Sequence, residues 1–247
     1  WQISQISATN IEQNGGRYLS PEKLVDLISE TGSQGISWTY NEPAIWLEYT
    51  LDSAKLAKER GFYTAYVSNG YITKEALDEL APYLDAFRVD LKSSEDKFYR
   101  EICGVSSAKG VFETTKYAKE LGMHIETVTN IIPTYNDSRE NLRNIARWIA
   151  ENLGTKTPWH VTRFFPNYEL SNIAPTPLET INMAVEIGQQ EGLEFIYKGN
   201  IPEKADTICP NCKNIAVSRD KYITLNTDKS GNCKYCGENL NLTLNNP

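Results

Sequence analysis

Between about residues 20 and 200, two patterns of apolar and polar positions take turns along the chain. Stretches repeating every three to four residues read as amphipathic helices, and short runs rich in β-branched and aromatic residues read as strands. The first helix is bounded by Ser20 as its cap, Pro21 in its first turn and Gly32 past its end. A strand near 35–39 precedes a helix over about 43–60 that stops at Gly61. Next come a strand near 62–67, a helix opened by Thr73, a strand near 86–91, and helices near 95–102 and 107–121 split by Gly104. Further strands are predicted near 123–130, 158–163 and 193–197, with helices near 138–152 and 177–191 between them.

Such alternation implies an α/β fold with a parallel sheet and crossover helices. Six strands suit an open, partial (β/α)6-type barrel; a doubly wound sheet fits the same periodicity. Beyond Pro202 the texture changes, and residues 226–241 are rich in Asn, Gly, Lys and Asp. The expected organisation is a barrel unit over 1–202 and a small metal-stapled module over 203–247, too short to hold together by its core alone.

Composition narrows the function classes. The 25 Lys+Arg against 32 Asp+Glu give a net charge of −7, spread along the chain, which argues against a nucleic-acid binder working by bulk charge. No apolar run approaches the length that spans a membrane. Two histidines, His124 and His160, exclude a His-rich metal site. Of five cysteines, Cys103 stands alone, whereas Cys209, Cys212, Cys233 and Cys236 form two C-x2-C pairs. That spacing reads as a tetrahedral four-thiolate site for zinc, with iron as the alternative, and points to a reducing, cytoplasmic setting. Residue 1 is Trp, so the chain is expected to be processed or part of something longer.

The unusual residues fall just past the strands: Tyr40-Asn41-Glu42-Pro43, Ser68-Asn69-Gly70, Asp90-Leu91-Lys92, Asn130, then His160 and Arg163, and finally Lys198-Gly199-Asn200. In parallel α/β folds these ends converge on one face, where ligands bind. Each has a plainer reading too. Glu42 suits the N-terminus of the next helix, and Asp90 and Lys92, on one side of a strand, could be a structural ion pair. His124 reads as structural, and Cys103 as a buried small residue, since no His lies near it in sequence.

The series TYNEP, SNG, VDLK, TNIIP and WHVTRFFP, together with FYREICG, APTP and CPNC, resembles radical S-adenosylmethionine (SAM) enzymes over essentially the whole chain. It is most similar to the AmmeMemoRadiSam system radical SAM enzymes, relatives of pyruvate formate-lyase activating enzymes. The resemblance implies SAM held by Tyr40, Asn41 and Glu42 in place of a Gly-Gly-Glu-Pro segment, whose two glycines are replaced here. It further implies contacts from Ser68 and Asn69, from Asp90 and Lys92 to the methionine end, from Asn130 to the ribose, and from His160 and Arg163 closing over the cofactor. A zwitterionic amino acid needs both an anion and a cation, as Asp90 and Lys92 would supply.

One part of the family pattern is absent. The C-x3-C-x2-C loop that ligates a [4Fe-4S] cluster does not occur in the sequence, and Cys103 alone cannot replace it. The resemblance therefore implies that the sequence begins just downstream of its cluster loop, and that this stretch alone is inactive. The intact enzyme is expected to cleave SAM reductively to a 5′-deoxyadenosyl radical for hydrogen abstraction, fed by a reductant such as flavodoxin or ferredoxin. The substrate stays open, and the family's association with Memo-like proteins admits a protein partner. Two rival readings remain: a Schiff-base aldolase using Lys92, and a non-catalytic scaffold that binds SAM or a partner.

Overall fold

The computed structural model describes residues 18–244. Helix α1 (Pro21–Glu30) leads into β1 (Gly35–Trp38), followed by α2 (Leu47–Glu59), β2 (Tyr63–Ser68), α3 (Lys74–Leu80), β3 (Ala86–Asp90), α4 (Asp96–Glu101), α5 (Lys109–Glu120), β4 (His124–Ile131), α6 (Arg139–Asn152), β5 (Trp159–Arg163), α7 (Leu178–Gln190) and β6 (Ile196–Gly199). The punctuation works as expected. Ser20 Oγ accepts from the Lys23 N–H and Thr73 Oγ1 from the Ala76 N–H.

The six strands lie in sequential order, β1 to β6, and every pairing is parallel. Right-handed crossovers in an unbroken order put all the helices on one side. A doubly wound sheet needs a reversal of order to cover both faces, and there is none among the described residues. The other face therefore lines a lumen, and the fold is an open α/β barrel. Strand residues split accordingly: Tyr66, Phe87, Val89, Ile125, Trp159 and Val161 are buried against the helices. Their neighbours Ala65, Arg88, Asp90, Glu126 and His160 are only partly covered. The helix side is closed by a continuous core to which Leu77, Leu80, Leu142, Ile145, Ile149, Ile181 and Ile187 contribute.

Two segments depart from the sequence reading. The stretch expected as a helix over about 43–60 begins with a 3-10 turn, Pro43–Trp46, before α2. The last barrel strand lies at Ile196–Gly199 rather than 193–197. Leu193 and Phe195, just before it, are buried too, and the Phe195 carbonyl accepts from the Trp159 N–H at 2.9 Å, so contact with β5 begins one residue ahead of the strand. Leu193 joins the barrel core, and Phe195 packs against Cys209, Ala216, Cys233 and Leu240.

After the barrel come β7 (Thr207–Ile208), β8 (Ile215–Arg219) and β9 (Ile223–Leu225), an antiparallel three-stranded sheet. It sits by the N-terminal ends of the barrel strands. There Lys156 Nζ donates to Glu238 Oε1 at 2.6 Å and to the Asn239 carbonyl at 2.8 Å, and the Asn241 amide donates back to the Lys156 carbonyl at 3.0 Å. No helix among the described residues is long and apolar enough to cross a membrane.

Candidate active site

The C-terminal ends of β1, β2, β3 and β4 surround a cavity of about 630 Å3, within the range of small-molecule sites. Its walls include Tyr40, Asn41, Glu42, Ser68, Asn69, Asp90, Lys92 and Asn130. Eight of the ten residues that the family resemblance assigns to SAM thus meet around one space.

Glu42 is the tie between the first two loops. It caps the Pro43–Trp46 turn, its Oε1 accepting from the Ala44 N–H at 3.2 Å and from Ser68 Oγ at 2.7 Å. Its Oε2 accepts from the Asn69 N–H at 2.6 Å. The Ser68 Oγ in turn accepts from the Gly70 N–H. Glycine is required there: φ is +76°, and a Cβ would meet Val89 Cγ2 at 2.6 Å and Val111 Cγ1 at 2.9 Å.

Asp90 and Lys92 form an ion pair at 2.6 Å, each side chain about a third exposed to the cavity (35% and 33%). The plainer reading of the two as an ion pair and their position on the cavity wall hold together. The backbone beneath them is fixed by two asparagines that the sequence reading did not single out. Asn136 Nδ2 donates to the carbonyls of Lys92 and Asn130, at 2.7 and 2.9 Å, which locks the ends of β3 and β4 together. Buried Asn141 donates to the Asn136 carbonyl and accepts from Ser93 Oγ and Ser94 N–H. Buried amides with every partner supplied make a rigid support. Cys103 lines the same cavity, and burial pushes its thiol up, away from nucleophilic thiolate.

His160 and Arg163 lie elsewhere. His160 points into the lumen below, where a cavity of about 1140 Å3 is also lined by His124, Glu126, Tyr197 and Arg219. There His160 Nε2 meets Glu126 Oε2 at 2.8 Å, and His124 Nε2 lies 3.6 Å from Glu126 Oε1. The imidazole of His160 stacks on Tyr197, with centroids 5.1 Å apart. Burial pushes the Glu126 carboxyl up, but hydrogen bonds from His124 and His160 outweigh it and hold the group below the usual carboxylate range. Arg163 shares the outward phase of Trp159 and Val161. Its Nε donates to the Thr176 carbonyl at 2.8 Å and its guanidinium lies over Phe165 at 5.0 Å.

Cys209, Cys212, Cys233 and Cys236 converge so that all four sulfurs lie within 4.8 Å of one another. This is a donor set that fits one tetrahedral metal ion. Burial raises the Cys209 thiol to about 12, while hydrogen bonds from Asn214 lower the Cys212 thiol to about 6.

A sequential parallel partial barrel with a polar cavity at its strand ends defines the class of fold, and sequence comparison defines the family. The model of the radical SAM superfamily matches residues 5–149, and the chain belongs to that superfamily. It is 37% identical over 250 residues to Uncharacterized protein MJ0808 of Methanocaldococcus jannaschii, covering 99% of this chain and 73% of that protein. It is 28% identical over 141 residues to the pyruvate formate-lyase-activating enzyme of Clostridium pasteurianum, covering 55% of this chain and 58% of that enzyme. The chain is thus homologous to the activating enzymes, but the match spans less than two thirds of that relative. Among solved structures, a domain of pyruvate-formate lyase-activating enzyme from Bacteroides vulgatus superposes with a TM-score of 0.59 at 18% identity. That superposition covers 68% of this chain and all of that one, and it reports the fold alone.

Membership implies SAM and a [4Fe-4S] cluster as cofactors. The cavity has the size and the paired charges for the first. For the second, the five cysteines of the sequence are Cys103 and the four of the C-terminal module. These 247 residues therefore do not supply three cysteines for a cluster at the strand ends.

Proposed function

We propose that this chain is the SAM-binding body of a radical SAM enzyme of the activating-enzyme kind. The observation that carries the reading is the meeting of Tyr40, Asn41, Glu42, Ser68, Asn69, Asp90, Lys92 and Asn130 around one cavity. In such an enzyme, reductive cleavage of SAM at a [4Fe-4S] cluster supplies a 5′-deoxyadenosyl radical for hydrogen abstraction. The residues of this chain bind and orient. Asp90 and Lys92 exchange part of their mutual pairing for the ammonium and carboxylate of the methionine end. Glu42 keeps the Tyr40–Asn41 and Ser68–Asn69 segments in register with each other, and Asn130, fixed through Asn136, faces the ribose. Phe98 and Tyr99, both buried, form an apolar wall that keeps water out.

A reductant such as flavodoxin or ferredoxin and a substrate protein are the expected partners, by analogy with the named activating enzymes; a Memo-like protein is one form the partner can take. His160 belongs to the substrate side of the lumen rather than to the SAM cavity, and Arg163 braces the β5 end. The unit boundary is placed at residue 202, with the four-cysteine module over 203–247 holding zinc as a structural ion. The 247 residues by themselves bind SAM without cleaving it. Calorimetric titration with SAM tests the reading: Lys92→Ala should weaken binding about tenfold or more. Unchanged affinity in that variant removes the assignment. Borohydride trapping of a carbonyl compound on Lys92 would favour an aldolase instead. The 2.6 Å ion pair to Asp90 speaks against it, because a paired ammonium is the wrong state for a nucleophilic amine.

A further inference from the structure

Arg88 projects from β3 on the same strand face as Asp90, two residues deeper, and lines the same cavity. In the sheet register it stands beside Val67 on β2 and Glu126 on β4. Neighbouring strands are about 4.8 Å apart, so a guanidinium and a carboxylate at paired positions on one face are placed to bond. Here they do not. Glu126 is taken by His160 at 2.8 Å and faces His124 at 3.6 Å. Among the described residues Arg88 is left with no hydrogen bond, ion pair or ring contact.

The other charges of the cavity are accounted for. Lys92 is matched by Asp90 at 2.6 Å, and Glu42 by three donors. A half-buried guanidinium without a counter-ion is unfavourable unless an anion arrives with a ligand. Its planar fork fits an oxyanion through two parallel hydrogen bonds. The count of charges chooses between oxyanions. Arg88 and Lys92 together balance Glu42 and Asp90, so the wall holds no surplus positive charge for a phosphate dianion, whereas a monoanion needs only the unpartnered guanidinium.

We propose that Arg88 is the substrate-binding residue of the lumen and that the substrate presents a carboxylate to it. The carboxylate docks one layer below the Asp90–Lys92 pair, on the lumen side of SAM. The proposal rests on the reading of the upper cavity as the SAM site, and the experiment separates the two.

The test is the rate at which phenylglyoxal labels Arg88 in the unmodified chain, followed by peptide mass mapping, with Arg163 as internal reference. SAM binding is first measured by calorimetry on the same protein. In SAM-saturated chain, N-acetylglycine should slow labelling of Arg88 by about threefold or more, while neutral N-acetylglycinamide should not. Inorganic phosphate should protect less than the carboxylate. Three results overturn the proposal: SAM alone shields Arg88 and N-acetylglycine adds nothing, phosphate protects as well as the carboxylate, or no anion protects. If SAM does not bind at all, the cofactor assignment fails by itself, and labelling of the SAM-free chain still decides whether Arg88 selects carboxylates.

Discussion

Glu42 and Ser68, 26 positions apart in sequence, share a buried hydrogen bond of 2.7 Å that joins the loop after β1 to the end of β2. The same carboxylate takes the N–H groups of Ala44 and Asn69, so a single side chain shapes two walls of the cavity. Glu42→Ala leaves those donors without their acceptor and should cost about 1–3 kcal/mol of stability, together with SAM affinity. Glu42→Gln keeps one acceptor oxygen but turns an amide toward Ser68 or Asn69, and should fall between. Urea denaturation and SAM titration of both variants check this. Wild-type affinity in Glu42→Ala would show that the loops hold their shape without it.

The four-cysteine module predicts its own metal content. Four sulfurs within 4.8 Å of one another, at 3.6 Å for Cys209–Cys236 and 3.7 Å for Cys212–Cys233, have the spacing of a tetrahedral four-thiolate ligand set. Protein purified without reconstitution should carry one zinc per chain by elemental analysis. Cys209→Ser should drop the content well below one and loosen β7 to β9, read as faster amide exchange there. Iron at equal stoichiometry would overturn the zinc assignment.

Arg219 links that module to the barrel lumen. Its Nη1 donates to the Ala205 carbonyl at 2.7 Å and to Thr207 Oγ1 at 2.8 Å, and its guanidinium lies over Tyr197 at 5.4 Å. Tyr197 shares a hydrogen bond of 2.8 Å with Thr207 and stacks on His160. Arg219→Met should destabilise the chain by about 1–2 kcal/mol through the lost hydrogen bonds and ring contact. It should also shift the imidazole NMR signals of His160, two contacts away. Unmoved His160 signals would mean that the module merely sits under the barrel.

What could be read from the sequence was local. Ser20 and Thr73 cap helices through bonds to residues three positions on, and the strand-end segments are marked by their own turn residues. Arg88 and Arg163 were legible in principle, because a strand's alternation fixes the side. Arg88 lies between buried Phe87 and Val89 and so must face the lumen, whereas Arg163 shares its phase with Trp159 and Val161 and must face the helices. Glu126 could not be read in this way, since its partner His160 lies 34 positions away on the next strand, and only the β4–β5 register brings them together. Asn136 looks like an ordinary residue of a polar turn and Asn141 like one in the first turn of a helix, and only their burial and hydrogen bonds show that they pin β3 to β4.

The Glu126 carboxylate between two imidazoles gives the barrel an acid-sensitive element. Its pKa is lowered from the ordinary 4.5, with burial opposing the shift and hydrogen bonds from His124 and His160 overcoming it. A carboxyl depressed in the folded state contributes stability in full above its unfolded value. That contribution is lost as pH falls below it, because the unfolded chain then binds a proton that the folded chain refuses. Stability should therefore decline between about pH 5 and pH 3 more steeply in the wild type than in Glu126→Gln, which has no proton to take up at this position. Urea midpoints collected across that range measure both slopes. The wild type should be the more stable at neutral pH, with the two curves approaching each other in acid. Parallel curves would mean that Glu126 titrates alike in the folded and unfolded chains, and the carboxylate would then owe nothing to its two histidines.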